Sequence, residues 1–165
     1  MKTDTLQDLY LKELRDLYGS EKLLAKWLPK AMETADLMEL RQALSNHLIE
    51  IRNQTGRIER IFQIRGQKPA AKNGKALEGI LQEADEDIAE AGNASIRDTV
   101  IVAAMQQIKH YEIAAYGTLH AYATHLDYTE DGRLLQATLQ EERATDRKLT
   151  EIALSYLKLE AARTA

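Results

Sequence analysis

The stretch IVAAMQQIKHYEIAAYGTLHAYATHL, residues 101–126, decides the fold. Its apolar positions Ile101, Met105, Ile108, Ala115, Leu119, Ala123 and Leu126 recur at helical spacing and define one face. Glu112 stands in the middle of that face. At about 100° per residue, Ile101, Met105, Ile108, Leu119 and Ala123 all fall within about 40° of it. A carboxylate placed there needs a partner, because desolvating a lone charge costs on the order of several kcal/mol.

The same arrangement recurs on either side. Residues 135–156 carry Leu135, Thr138, Leu139, Leu149, Ile152, Ala153 and Tyr156, with Glu142 in the stripe and Asp146 one turn on. A short polar break, His125 to Thr129, separates the two helices. In the N-terminal half, a helix from an N-cap at Thr5 to about Ala35 presents Tyr10, Leu14, Leu17, Leu28 and Met32 around Glu21. Pro29 lies inside it and predicts a kink. Asp36, with Glu39 as capping-box partner, is expected to start a second helix that ends near Gly66. On that helix Glu50 lies at the edge of the stripe, with His47 and Gln54 nearer its centre.

The loop GQKPAAKNGKA, residues 66–76, leads to a shorter amphipathic helix through Leu77, Ile80, Leu81, Ala84 and Ile88. It closes at Ala91-Gly92-Asn93, and Ser95 with Asp98 forms another expected capping pair. Short 1–2 and 3–4 connections make those helices antiparallel neighbours. The crossover between the hairpins is long enough to traverse the bundle. The expectation is an all-α domain over residues 1–165. Its architecture is a ferritin-like four-helix bundle with a short extra helix in the long crossover between helices 2 and 3.

Composition agrees and narrows function. The 165 residues include two prolines, eight glycines and no cysteine, which excludes disulfides and thiolate chemistry. A net charge of −4 gives no nucleic-acid footprint. The opening MKTDTLQDLY lacks the apolar run of a signal peptide, and no stretch reaches membrane-spanning length, so a cytoplasmic protein without membrane or nucleic-acid partners is expected.

Height along the bundle is an independent test of the acids. Glu21 lies 15 residues before Asp36 and Glu50 lies 14 after it; Glu112 and Glu142 each lie 15 from Asp127. Equal distances from a hairpin turn place residues at one level, so two matched acid pairs are predicted. Their charges can be resolved by protonation, by a basic partner or by a cation. Two divalent metals bridged by the glutamates are one solution, as in ferritin-like carboxylate proteins. Hydrogen bonds from Tyr18 and Tyr116 are another. Lys109, about 60° from Glu112, is the nearest basic candidate and could replace a cation electrostatically.

The segments LYGSEKLLAKWLPK, LRQALSNHLIEIRNQ, HYEIAAYGTLHAYATHLDY and LQATLQEERATDRKLTEIA resemble the YciE/YciF family of ferritin-like bacterial stress proteins. The likeness spans nearly the whole chain, and HYEIAAYGTL is its most specific part. It implies a rubrerythrin-related bundle, a homodimer and a dinuclear metal site. The chain departs from the Glu-x-x-His pattern of such sites: Asn53 follows Glu50 by three residues and Thr145 follows Glu142. The partners on the same face are Gln54 and Asp146, four residues on.

Two function classes follow. One is a stress-response protein holding two Fe or Mn ions through Glu21, Glu50, Gln54, Glu112, Glu142 and Asp146. With Tyr18 and Tyr116 as hydrogen-bond donors, it would support oxidation by a small-molecule oxidant, oxygen or peroxide. The alternative is a non-enzymatic dimeric helical protein whose acids are protonated or bonded within the core. His47 is a further ligand candidate from one turn before Glu50. His110 points away from Glu112, and Trp27, Tyr111 and Tyr122 are candidate subunit contacts.

Overall fold

The computed structural model describes the backbone of residues 3–72 and 74–164, with side chains through 155. These residues form five helices: α1 (Leu6–Thr34), α2 (Met38–Ile64), α3 (Lys75–Glu90), α4 (Ala94–His125) and α5 (Thr129–Thr164). The long helices α1, α2, α4 and α5 make the ferritin-like bundle, in which α1 packs on α2, α2 on α5, α5 on α4 and α4 on α1. The crossover helix α3 lies against α1 and α4. Tyr156, assigned to the last apolar stripe, lies outside the described side chains.

Each boundary has a local cause. Thr5 caps α1 through a reciprocal capping box with Asp8, and the helix runs on through Pro29 to Thr34. The cap expected from Asp36 and Glu39 does not form. Instead Asp98 reaches across from α4, and its two carboxylate oxygens accept from the backbone N–H groups of Asp36 and Leu37, both at 2.8 Å. Asn93, not Ser95, caps α4 by accepting from Ile96 at 2.9 Å. One residue thus explains two departures: Asp98 is drawn from its own helix to the unsatisfied donors of another. The α4–α5 turn closes through Asp127 at φ +57°, a conformation that Asp tolerates better than most residues.

The crossover lies directly on α1. The Lys72 N–H donates to the Arg15 carbonyl at 3.0 Å. A Cβ on Gly19 would sit 1.8 Å from the Lys72 carbonyl oxygen, so only glycine admits the loop there. Farther along, the Trp27 indole donates to Asp85 of α3 at 2.7 Å. Trp27 is consequently buried, contrary to its expected exposure as a subunit contact, because α3 covers it. Tyr111 and Tyr122 are half-buried, and Tyr111 meets the Ser20 hydroxyl at 3.1 Å.

The core is divided. One apolar cluster contains Leu24, Leu28, Leu44, Ile51, Ile101, Met105, Ile108 and Leu149. The other contains Tyr10, Leu14, Leu17, Ile58, Phe62, Tyr116, Leu119 and Leu135. In chain order, each of the four long helices passes from one cluster to the other through buried polar residues: Glu21, Gln54, Lys109 with Glu112, and Glu142. A polar layer therefore crosses the middle of the bundle.

Candidate functional site

Glu21, Glu112 and Glu142 are at most 1% exposed, and Lys109 and Gln54 are wholly buried with them. Lys109 is the centre of the group. Its Nζ lies 2.6 Å from Glu112 Oε2, in close contact with Glu142 Oε2, and 3.2 Å from His47 Nδ1. Gln54 completes Glu142 by donating from Nε2 to Oε1 at 2.6 Å. Tyr116 donates to Glu21 Oε1 at 2.5 Å. The α4–α5 acids are thus joined through one ammonium, while Glu21 is anchored by a phenol from α4.

Glu50 is half-buried at the edge of the layer. Its Oε2 accepts from Thr145 at 2.9 Å and faces His47 Nδ1 at 3.4 Å. Its hydrogen bonds therefore lead to α5 and to its own helix, while those of Glu21 lead to α4. His47 Nδ1 serves one neighbour at a time, since an ammonium can only donate to it and a carboxylate can only accept. Asp146 is partly exposed, and its Oδ1 lies 3.8 Å from the exposed His110 ring. Tyr18, expected to bond the central acids, donates instead to Glu59 at 2.6 Å. Arg57 holds Glu141 with two bonds of 2.6 Å, and Glu141 is itself 3.4 Å from Gln54, so this pair lies beside the layer at the surface.

The electrostatics follow from this packing. Burial pushes Glu21 up to about 8, with the charge of Glu142 adding and the Tyr116 bond opposing. Burial, then Glu142, holds Glu112 well above the usual carboxylate range. Burial also works upward on Glu142, but Lys109 and then His47 outweigh it and hold Glu142 below its ordinary value. For Lys109, burial is overcome by the charges of Glu112 and Glu142, which keep the ammonium protonated. Burial and the adjacent Lys109 lower His47, favouring its neutral ring. One permanent cation, one stable anion and two acids biased toward their neutral forms make a layer close to electroneutral.

These residues do not fit a dinuclear metal centre as they stand. The ammonium of Lys109 takes the space between Glu112 and Glu142 where a bridging cation would need to lie. Gln54 presents its donor to Glu142, not its carbonyl to a metal. Asp146 points toward His110 at the periphery. Among the described residues, no three or more His, Asp or Glu side chains are grouped so as to hold a metal ion. Lys109 was visible on the sequence as a basic neighbour of Glu112; its full burial and its contact with Glu142 required the packed bundle.

Four long helices around a buried carboxylate layer define a ferritin-like helical protein. Within that class the chain belongs to the DUF892 family, described as a domain of unknown function, whose model matches residues 5–162. It is 36% identical over 162 residues to YciF of Escherichia coli K12, covering 98% of both chains. The crystal structure of that stress protein aligns with a TM-score of 0.90 over 94% of this chain and 99% of that one. YcfI of Rhodopseudomonas palustris is 41% identical, with a TM-score of 0.88 over 91% of this chain and 97% of that one. A Xanthomonas campestris protein at 17% identity shares the fold alone, with a TM-score of 0.76 over 97% and 99% of the two chains.

Proposed function

We propose that this chain is a stress-response protein that acts without a metal centre, as a non-enzymatic homodimeric bundle whose core acids are neutralised from within. The observation that carries the reading is the Lys109 ammonium between Glu112 and Glu142, both within ion-pair distance. A reactive centre needs an open coordination position or a substrate path. Here the central cation is a side chain with 0% exposure. The role in stress rests on likeness to the Escherichia coli stress protein YciF. No helix of the described residues is long and apolar enough to cross a membrane.

The other reading, two Fe or Mn ions on Glu21, Glu50, Gln54, Glu112, Glu142 and Asp146 with oxygen or peroxide as oxidant, has one point in its favour. Glu21 Oε2, Asp146 Oδ1 and Glu112 Oε1 lack hydrogen-bond partners, as ligand atoms would. It requires Lys109 to leave the layer.

Elemental analysis of protein purified from iron- and manganese-supplemented cells separates the two. The expected result is metal well below one equivalent, with no oxygen uptake or peroxide loss on adding Fe(II). Two equivalents of metal, lost on Glu142→Ala, would overturn the metal-free reading. Light scattering tests the dimer, and a monomer at micromolar concentration would remove that part.

A further inference from the structure

We infer that the outer ridge of α2 is the dimer face, on which a second copy of this chain packs its own α2 antiparallel about a two-fold axis at Ile49. The inference rests on the homodimer reading above and deepens it by naming the surface.

The ridge stands out by what it lacks. Met38, Gln42, Ser45, Ile49, Asn53 and Gly56 follow one another at steps of three and four, on the side of α2 opposite its buried Leu40, Leu44, Ile51 and Ile58. None is charged, although charged residues make up 29% of the chain. The solvent side of a helix is where charges normally collect. The outer side of α3 shows the contrast, with Glu83, Glu86, Asp87 and Glu90 all exposed. Among the described residues four large hydrophobic side chains are exposed, and two of them lie on this ridge: Met38 at 71% and Ile49 at 56%. Loss of charge around apolar anchors is the mark of an interface core.

The occupant is a second copy because the ridge complements itself. A two-fold axis through Ile49 sets residues equally far before and after it side by side. Gln42 and Gly56 lie seven residues on either side, so the long side chain of each copy meets a glycine of the other. A Cβ on Gly56 would meet nothing in its own chain, so the space above it is open to a partner. Ser45 and Asn53, four residues on either side, match a small side chain to a larger one in the same way. Charge favours the same orientation. The exposed Glu39 comes level with the partner's Arg60 on one flank, and the exposed Arg41 with the partner's Glu59 on the other. Parallel packing would instead lay Arg52 on Arg52 and Arg60 on Arg60. Grooves of about 620 Å³ against α5 and about 590 Å³ against α1 run along the two flanks and admit the edges of the partner.

The chain has no cysteine, so a single introduced one reports position. In sedimentation the wild type should be a dimer, and Ile49→Asp should raise its Kd at least about thirtyfold. Ile49→Cys should form a disulfide-linked dimer on mild oxidation. Ile96→Cys, at a side chain of similar exposure (49%), should not. Glu39→Arg should weaken the dimer about fivefold, and adding Arg60→Glu should restore it. If Ile49→Asp loses its helical circular dichroism, the cross-link and the charge reversal decide in its place. A dimer that survives a folded Ile49→Asp unchanged, or that cross-links no faster through position 49 than through position 96, overturns this face and leaves the homodimer reading standing. A wild-type monomer at micromolar concentration overturns both.

Discussion

Asp131, at the first turn of α5, is as thoroughly buried as Glu142 in the central layer, yet its surroundings differ in kind. Its Oδ2 accepts from the Tyr10 hydroxyl at 2.8 Å and lies 3.1 Å from Arg65 Nε. The Arg65 guanidinium stacks on the Tyr128 ring at 3.7 Å, and the Tyr10 and Tyr128 rings meet edge to face at 5.6 Å. Arg65 comes in from the end of α2 and keeps 22% of its side chain in solvent, whereas Lys109 keeps none. The corner is a single acid tied down by a wet cation and a phenol. The centre is several acids that share one dry cation. A lost partner at the corner leaves the other donor on Asp131; at the centre no second charge stands behind Lys109.

The largest effect should therefore come from the centre. Lys109→Met leaves the Glu142 carboxylate buried without a counter-charge and is expected to cost about 3–5 kcal/mol in urea unfolding at pH 7, as broken buried ion pairs do. Adding Glu142→Gln should recover much of that loss, because it removes the charge left unpaired. A loss below about 1 kcal/mol in the single variant would mean that water reaches the layer, and the contrast with the corner would collapse.

Glu21 sharpens the comparison through pH. Its carboxyl rises from 4.5 to about 8 in the folded protein, so the folded state binds more protons across that interval. Stability from this group is complete below pH 4.5, falls as pH rises and levels off above about 8. Glu21→Gln fixes the neutral form and should stabilise the protein by about 2 kcal/mol at pH 8 and by little at pH 4.5. The measurement is chemical unfolding of both proteins from pH 5 to 9. Parallel curves would show that Glu21 is solvated or paired with a cation, not held neutral by burial.

At the corner, Arg65→Ala removes a charge-assisted contact and the stacking on Tyr128. It is expected to cost about 1.5 kcal/mol, no more than half the loss at Lys109. Thermal melts of the two variants side by side check the ranking, and equal losses would show that exposure of the cation does not govern the cost.

The bundle itself is legible because helix periodicity and hairpin lengths are local properties, and the Thr5 cap and the loop before Lys75 follow from neighbouring residues alone. The core position of Glu21, Glu112 and Glu142 followed from the same face arithmetic. What the chain order hid was partnership at a distance. Asp98 was read as serving its own helix because its capping role depends on where α2 begins in space. Tyr18 was paired with Glu21 on spacing, yet the side chain turns to Glu59 beside the Phe62 ring, which packs edge to face at 5.7 Å. Nothing in the helix of Trp27 shows that α3 lies over it and buries it. The corner at Asp131 leaves no local signal for the same reason: Tyr10, Arg65 and Asp131 lie far apart in the chain, and only Tyr10 sits in an apolar stripe.

The smallest effect tests the corner from its dry side. Tyr10 is wholly buried, and its hydroxyl, pushed strongly upward by burial and by the charge of Asp131, stays protonated and donates. Tyr10→Phe keeps the ring and its edge contact with Tyr128 but removes the bond to Asp131. Arg65 remains to hold Asp131, so the expected loss is about 1 kcal/mol, that of one hydrogen bond. The Tyr10→Phe/Arg65→Ala pair should then lose more than the sum of its parts, since Asp131 is left with neither donor. Strict additivity, measured by urea unfolding of the four proteins, would mean that water serves Asp131 as well as either partner does. The greater-than-additive result expected here would show that the corner tolerates loss only while one donor stays. At the centre that condition fails with a single substitution.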